Sequence, residues 1–303
     1  MNPVLALIIT NIIWGAASPV FKFALQNIPP FILAFIRFFF AGLILIPFAM
    51  RHRQKISLQQ FVHILWIGFF GITINIAFFF LGLQKTESIN VPVIASSGPV
   101  FIYLFSVLFL REKPKLKVLS GMMIALLGVI TIIFSPVLLD GKKIVAGEIE
   151  GNLFILIATF GTVFQTLVSK NVLRKINPYL VSVVSFLFGS LTFLPLAAKE
   201  LNSWSFDQLN FQGLTGIIFG VFFSSALAYF LYYYGISKLA AQEVGLFTYI
   251  DPVIAVLIAA PLLGEIPSLY YVVGSLLVFG GIYLAEGRIH WHPFHKLRKQ
   301  LNG

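Results

Sequence analysis

One carboxylate of this chain stands far from any polar stretch. Asp251 lies in Thr248-Tyr249-Ile250-Asp251-Pro252, about eight residues and roughly 12 Å into the apolar segment 243–264. The other acidic residues, of 11 in all, sit in loops or near segment ends. A carboxylate at such a depth is costly in an apolar medium and points first to function, either binding a cation or carrying a coupling proton. The structural alternative is an aspartate paired with a lysine or set against a helix end.

Three cations are embedded in the same way: Lys22, Arg37 and Lys170. The planar fork of Arg37 suits a substrate carboxylate, and its position about seven residues into its segment also lets it snorkel outward. Lys22 and Lys170 come late in their segments, so an interfacial role competes with a substrate role. Trp14, Asn75, Gln165, Tyr229 and Tyr233 are mid-segment polar or amphipathic side chains. They suit the few placed polar groups of an apolar substrate pocket, and equally hydrogen bonds between helices.

Two prolines complete this set. Ala95-Ser96-Ser97-Gly98-Pro99 and Thr248-Tyr249-Ile250-Asp251-Pro252 each predict a helix kink, because proline removes an amide and frees a carbonyl about one turn earlier. Freed backbone groups within a bilayer must face protein or water. Pro99 and Pro252 are therefore expected either to line a substrate cavity, with Ser97, Tyr249 and Asp251 as its contacts, or to serve packing alone.

The elements that must position these residues follow from composition. Hydrophobic residues make up 58% of the 303 and charged residues 11%, against about a quarter charged in soluble domains. Apolar stretches long enough to span a bilayer fall at 3–26, 30–50, 61–83, 90–110, 116–134, 151–175, 178–198, 211–236, 243–264 and 268–286. The expectation is an all-α integral membrane protein of ten transmembrane helices. The first stretch has no preceding Lys or Arg and is too long for a signal h-region, so it is expected to remain part of the fold.

Charge placement sets the topology. Arg51, Arg53, Lys55, Arg111, Lys113, Lys115, Lys117, Arg174, Lys175, Lys238, Arg288, Lys296, Arg298 and Lys299 fall on the side of the two termini. The opposite side has Lys85, Lys142, Lys143 and Lys199. That bias places both termini in the cytoplasm of a multi-pass protein of the inner (cytoplasmic) membrane. The net charge of +10 is thus a topology signal and implies no nucleic-acid partner.

The chain repeats itself. In one register Lys22 falls on Lys170, Pro30 on Pro178 and Pro47 on Pro195. After a short loop insertion, Gly82 falls on Gly235, Pro99 on Pro252, Glu112 on Glu265, Pro114 on Pro267, Gly121 on Gly274 and Gly128 on Gly281. The expected units are 3–134, a connector 135–150, a second unit 151–286 and a basic cytoplasmic tail 287–303. Five helices per unit is an odd number, so the second lies inverted relative to the first. The loops agree: Arg111-Glu112-Lys113-Pro114 answers to Gly264-Glu265-Ile266-Pro267, and Gln26-Asn27 to Arg174-Lys175. Inverted repeats are the architecture of secondary transporters, with the substrate site near the midplane.

Trp14-Gly15, Lys22, Pro30, Arg37-Phe38, Ala41, Leu45 and Pro47, followed by Gly82-Leu83, Pro99 and Leu110-Arg111-Glu112, resemble the EamA family of the drug/metabolite transporter superfamily. Asp251-Pro252, Leu263-Gly264-Glu265 and Gly274 continue the resemblance in the second unit, so that it covers roughly 3–286. It implies a ten-helix exporter of amino acids or other metabolites that hydrolyses no ATP. The second unit departs at Thr162-Val163 and Ser185, which confines any role of Trp14 and Arg37 to the first.

Other classes are less well served. An enzyme needs a cluster of His, Asp or Glu, and the histidines are His52, His63 and the tail's His290, His292 and His295, whose spacing matches no zinc signature. With no cysteine, thiolate metal sites and disulfides are excluded, and no cofactor is expected. Pore-lining rings of a channel are not visible. A non-transporting scaffold or sensor leaves the repeat unexplained. A multidrug exporter of lipophilic cations is the other transport reading; there Asp251 binds the cation directly, whereas a metabolite exporter holds a zwitterion with Asp251 and Tyr or Trp partners. Gly216, Gly220, Ser224 and Ala228 recur every fourth residue and predict a close-packing helix face. The tail suits anchoring to anionic lipid headgroups. Expected partners are a small-molecule substrate and the lipid bilayer, and a homodimer is compatible with the sequence.

Overall fold

The computed structural model describes residues 2–52, 54–98, 100–101, 105, 116–135, 146–239, 244 and 246–286. Pro99, Glu112, the basic tail 287–303 and most of the expected connector lie outside the described residues.

Helix starts follow local chemistry. The first helix, α1 (Pro3–Ala24), opens with proline at its first position, where the missing amide costs nothing, and with Asn2 accepting from the Val4 amide. Prolines also open α2 (Pro30–Arg51) and, further on, Pro178–Glu200. A capping box of Ser57 and Gln60 starts α3 (Leu58–Gly68), three residues before the expected boundary at 61. A π-helical stretch, Phe69–Ile74, joins α3 to α4 (Asn75–Leu83).

Next come α5 (Asn90–Ala95), α6 (Leu116–Ile133), α7 (Ala146–Leu173) and α8 (Pro178–Glu200). Because α7 begins at Ala146, it takes in part of the stretch expected as connector. A second π-helical stretch, Phe219–Leu227, separates α9 (Phe211–Ile218) from α10 (Ala228–Lys238). Last are α11 (Ile250–Leu263), which ends on Gly264 at φ 71°, and α12 (Leu269–Glu286). That left-handed cap suits a residue without a Cβ.

Among the described residues six helices are long and apolar enough to cross a membrane: Pro3–Ala24, Pro30–Arg51, Leu58–Leu83, Gly147–Leu173, Pro178–Glu200 and Phe211–Lys238. Three shorter apolar helices accompany them, Leu119–Ile133, Phe247–Leu263 and Leu269–Leu284. Leu191, Phe222, Leu257 and Leu276 are exposed on the outside, where hydrocarbon rather than water suits them. This is a multi-pass, all-helical membrane protein.

Packing runs between the first and second parts of the chain. Helix α2 packs along α8, α6 along α12, α1 against α10 and α11, and α7 against α3, α4 and α5. Glycines permit the closest approaches. A Cβ on Gly128 would stand 2.5 Å from the Gly274 carbonyl oxygen, and one on Gly281 would stand 2.5 Å from that of Gly121. A Cβ on Gly82 would meet Ile155, and one on Gly235 would meet Leu7, at 2.7 and 2.5 Å. The small-residue face of the eighth apolar stretch packs as expected at Gly216, against Ala24, and at Gly220, against Arg37 and Phe21.

Two of the expected helices change form partway. After α5 the chain turns at Ser96-Ser97. Residues Leu246–Tyr249 form a 3-10 turn before α11. Pro252 consequently stands in the first turn of α11, where a missing amide leaves no bond unmade, rather than kinking a continuous α-helix.

Candidate functional site

A cavity of about 180 Å³ lies between α1, α2, α4, α5, α7, α10 and α11 and the second π-helical stretch. Of the residues singled out from sequence, it is lined by Trp14, Arg37, Asn75, Gln165, Tyr229 and Asp251. Among the described residues Arg37 and Asp251 are the charged ones that line it; Phe21, Ile76, Phe79, Val91 and Ile155 supply much of its apolar wall.

The aromatic side chains are held by the two π-helical stretches. A π turn shifts backbone bonding from i−4 to i−5 and leaves carbonyls for other donors. The Gly71 carbonyl, in the first stretch, accepts from the Tyr229 hydroxyl at 3.2 Å. The Ser224 carbonyl, in the second, accepts from Trp14 Nε1–H at 3.2 Å. Those side chains then meet edge to face, ring centroids 5.1 Å apart, with Tyr232 at 4.8 Å from Trp14. Such pairs fix ring orientation beyond what burial alone does.

Polar cross-links hold the opposite wall. Asn75 Nδ2 donates to the Ala158 carbonyl and to Thr162 Oγ1, both at 2.8 Å. Gln165 Nε2 donates to the Tyr233 hydroxyl at 2.8 Å, and Thr166 Oγ1 lies 2.9 Å from the Tyr232 hydroxyl. The Gln165 amide lies against Gly71 so closely that a Cβ there would overlap it. Residue 71 must therefore be glycine for Gln165 to keep this position.

Arg37 does not snorkel. It is 2% exposed, its Nε donating to Ser225 Oγ at 2.6 Å and its Nη2 to Ser224 Oγ at 2.9 Å. Phe21 and Phe38 cover the guanidinium, with ring centroids 4.6 and 4.7 Å from its central carbon. No acidic side chain among the described residues pairs with it. Asp251 stands in the first turn of α11, where the helix dipole favours a negative charge. Its Oδ1 is buried without a hydrogen-bond partner among the described residues.

The remaining sequence candidates lie elsewhere. Tyr233 is fully buried in the wall behind Gln165, and Ser97 bonds back to the Ile94 carbonyl at 2.6 Å. Tyr249 meets Phe279 edge to face at 5.5 Å. Lys22 donates to the Thr86 carbonyl at 2.6 Å and pairs with Glu265 at 2.9 Å; Lys170 donates to the Leu239 carbonyl at 3.1 Å. None of these five lines the cavity. Sequence reasoning passed over Ser225, Tyr232 and Thr166, and gave Ser224 a packing role only. A serine pair in an otherwise apolar run was the available signal. Among the described residues no group of His, Asp or Glu is arranged to hold a metal ion.

The family model described as EamA-like transporter family matches residues 1–134 and 149–286. The chain is 28% identical over 288 residues to the uncharacterized transporter YetK of Bacillus subtilis, covering 94% of this chain and 86% of that protein. An uncharacterized transporter of Archaeoglobus fulgidus is 29% identical over 281 residues, covering 93% and 96%. A WAT1-related chloroplastic protein of Arabidopsis thaliana is 22% identical over 278 residues, covering 90% of this chain and 66% of its own length. A solved crystal structure matches with a TM-score of 0.64 at 18% identity, covering 96% of this chain and 99% of the other, and so shares its fold.

Proposed function

The chain belongs to the EamA-like transporter family, and from that premise we propose that it is a secondary transporter of the cytoplasmic membrane, exporting an amino acid or another small metabolite. It works by alternating access between two inverted five-helix halves of a ten-helix fold, with both termini in the cytoplasm. The cavity is the substrate site. Trp14, Asn75, Gln165, Tyr229 and Asp251 contact the solute, with Arg37 beside them. Tyr233 supports the site from behind, while Ser97 and Tyr249 flank it where helix geometry changes. Asp251 is also the candidate for ion coupling.

The observation that carries this reading is the pairing of equivalent contacts. The register that lays Gly128 on Gly281 also lays Gly121 on Gly274, and the two close approaches join these glycines crosswise. Gly82 meets Ile155 where its counterpart Gly235 meets Leu7. In the same register the two π-helical stretches overlap, and Gly71 falls on Ser224, the two residues whose carbonyls hold Tyr229 and Trp14. The family match to two successive stretches of the chain supports the same reading. Two like halves around one cavity allow two nearly equal packings that open to opposite sides.

A multidrug reading has one specific observation in its favour: the Asp251 carboxylate oxygen with no partner among the described residues, in an aromatic cavity, suits a lipophilic cation. The test is counterflow in proteoliposomes with pooled labelled amino acids, with and without a pH gradient. Saturable counterflow is expected, with a pH effect that Asp251→Asn removes. Exchange of lipophilic cations alone would favour the multidrug reading, and no exchange of any solute class would end the transport reading.

A further inference from the structure

We propose that Glu265, with Lys22 and the loop between α4 and α5, is a clasp that shuts the cavity at the end away from the N-terminus. It must release for a solute to pass that end. This rests on the transport reading and assigns one of its gates to particular side chains.

The clasp lies directly beyond the cavity on three elements. On α1 Phe21 lines the cavity and Lys22 follows it. At the start of α5 Val91 lines it and Ile89 comes two residues earlier; on α7 Ile155 lines it and Asn152 comes three residues earlier. Each step leads toward the same end, because α1 runs away from the N-terminus while α5 and α7 begin at the far side. The loop is packed down there. Thr86, Ser88, Ile89 and Asn152 are all buried. Thr86 Oγ1 donates to Asn152 Oδ1 at 2.5 Å, and Lys85 pairs with Glu150 at 2.5 Å, which fastens the loop to α7.

On its other side the loop is held by one carboxylate. Glu265 Oε2 accepts from Ser88 Oγ at 2.6 Å and from the Ile89 amide at 3.2 Å. Its Oε1 lies 2.9 Å from Lys22 Nζ. That contact is an ion pair without hydrogen-bond geometry, since the ammonium group donates to the Thr86 carbonyl instead. Three partners thus hang on one charged group and are released together. The clasp also crosses between the two stretches that match the family model, with Lys22 and the loop in the first and Glu265 in the second. Parting those stretches at this end means parting Glu265 from its partners.

Lys22 keeps two carboxylates close as well. Glu87, in the same loop, is held above the ordinary carboxylate range by loss of solvent and then by the charge of Glu265; Lys22 acts against both, and Glu148 adds to them. Take the lysine away and the two carboxylates repel with no cation between them. A contact made in one packing and absent from another sets the ratio of the two by its free energy. Neutralising either member of the ion pair therefore raises the fraction of molecules open at this end, and does not raise the fraction open at the opposite one.

The chain has no cysteine, so a single Ala95→Cys provides a lone thiol, exposed in the cavity wall. The experiment is the rate at which that thiol in the full-length protein reacts with a membrane-impermeant methanethiosulfonate bearing a trimethylammonium group. The reagent is added to intact cells and, separately, to inverted membrane vesicles. A separate Lys85→Cys variant, exposed in the loop, marks which face carries the clasp. With the clasp intact, labelling of Ala95→Cys from that face is expected to be slow. Glu265→Gln and Lys22→Met should each speed it about fivefold or more, with no rise from the opposite face. Fast labelling from the clasp face with the clasp intact would overturn the proposal, as would an unchanged rate in both variants. So would a comparable rise from both faces, which is what general loosening of a misfolded variant gives. Labelling needs no solute. The expected pattern without exchange of any solute in proteoliposomes would keep the clasp as the closure of the cavity and remove the transport reading. Solute exchange with unchanged labelling would remove the clasp alone.

Discussion

Lys22 and Lys170 make the same contact in two different places. Each side-chain ammonium donates to a loop carbonyl, Lys22 to Thr86 at 2.6 Å and Lys170 to Leu239 at 3.1 Å. The register that lays one half on the other lays Thr86 on Leu239. Lys22 adds an ion pair to Glu265, and Glu265 in turn accepts from Ser88 Oγ at 2.6 Å and from the Ile89 amide at 3.2 Å. The short link after α11 is thereby fastened to the loop between α4 and α5.

A double-mutant cycle measures that fastening. Lys22→Met and Glu265→Gln should each lower the thermal midpoint in detergent, with a coupling of about 1 kcal/mol for a pair that is only partly exposed. Strict additivity of the two changes would mean that the ion pair contributes nothing.

Bulk added between α6 and α12 should be costly wherever the backbones touch. Gly128→Val and Gly281→Val place carbon against the backbone of Gly274 and Gly121 respectively, and overpacking of this kind costs about 1–3 kcal/mol. Gly280→Ala, on the same helix with nothing within 4 Å of the new Cβ, should be neutral or stabilising. Equal midpoints for all three variants would contradict the packing described.

Gly71→Ala should act on the cavity rather than on the fold alone. Its methyl group overlaps the Gln165 amide, so Gln165 must move and release the Tyr233 hydroxyl. Counterflow should fall several-fold in protein that still purifies as a single species. Gln165→Ala together with Gly71→Ala should recover the thermal midpoint but not transport.

Trp14→Phe keeps an aromatic ring near Tyr229 and Tyr232 and removes the donor to the Ser224 carbonyl. The lost bond corresponds to about 1 kcal/mol of stability, and with its ring no longer anchored the solute concentration giving half-maximal exchange should rise. No change in that concentration would place Trp14 outside the binding site.

Much of this arrangement could be read from residue types, because a polar side chain in an apolar run has few places to go. Trp14, Arg37, Asn75, Gln165, Tyr229 and Asp251 were each picked out on that ground, and the structure collects them around one cavity. Orientation was harder to read. In the run Tyr232-Tyr233-Tyr234 composition does not say which ring faces inward, and Tyr232 lines the cavity whereas Tyr233 stands behind it. Ser224 fits a small-residue face and also carries a hydroxyl for Arg37, and the spacing reveals only the first role. The depth of Asp251 in its apolar stretch was legible; the break that makes it a helix-start residue was not, since Leu246–Tyr249 is as apolar as a continuing helix. The π-helical stretches left no trace for a related reason. In Phe219-Gly220-Val221-Phe222-Phe223 every face is apolar, so a change of winding disturbs no pattern.

Those two stretches also take up slack. A π turn accommodates roughly one more residue than an α turn, so the helix beyond it keeps the phase it would have without the surplus residue. Deleting Phe222 should let the segment relax to regular winding, still span the bilayer and keep Tyr229 and Tyr232 on the cavity side. What it should take away is the spare carbonyl of Ser224 that accepts from Trp14. A one-residue deletion that would turn a regular helix by about 100° is thus absorbed here, at the cost of one anchoring bond.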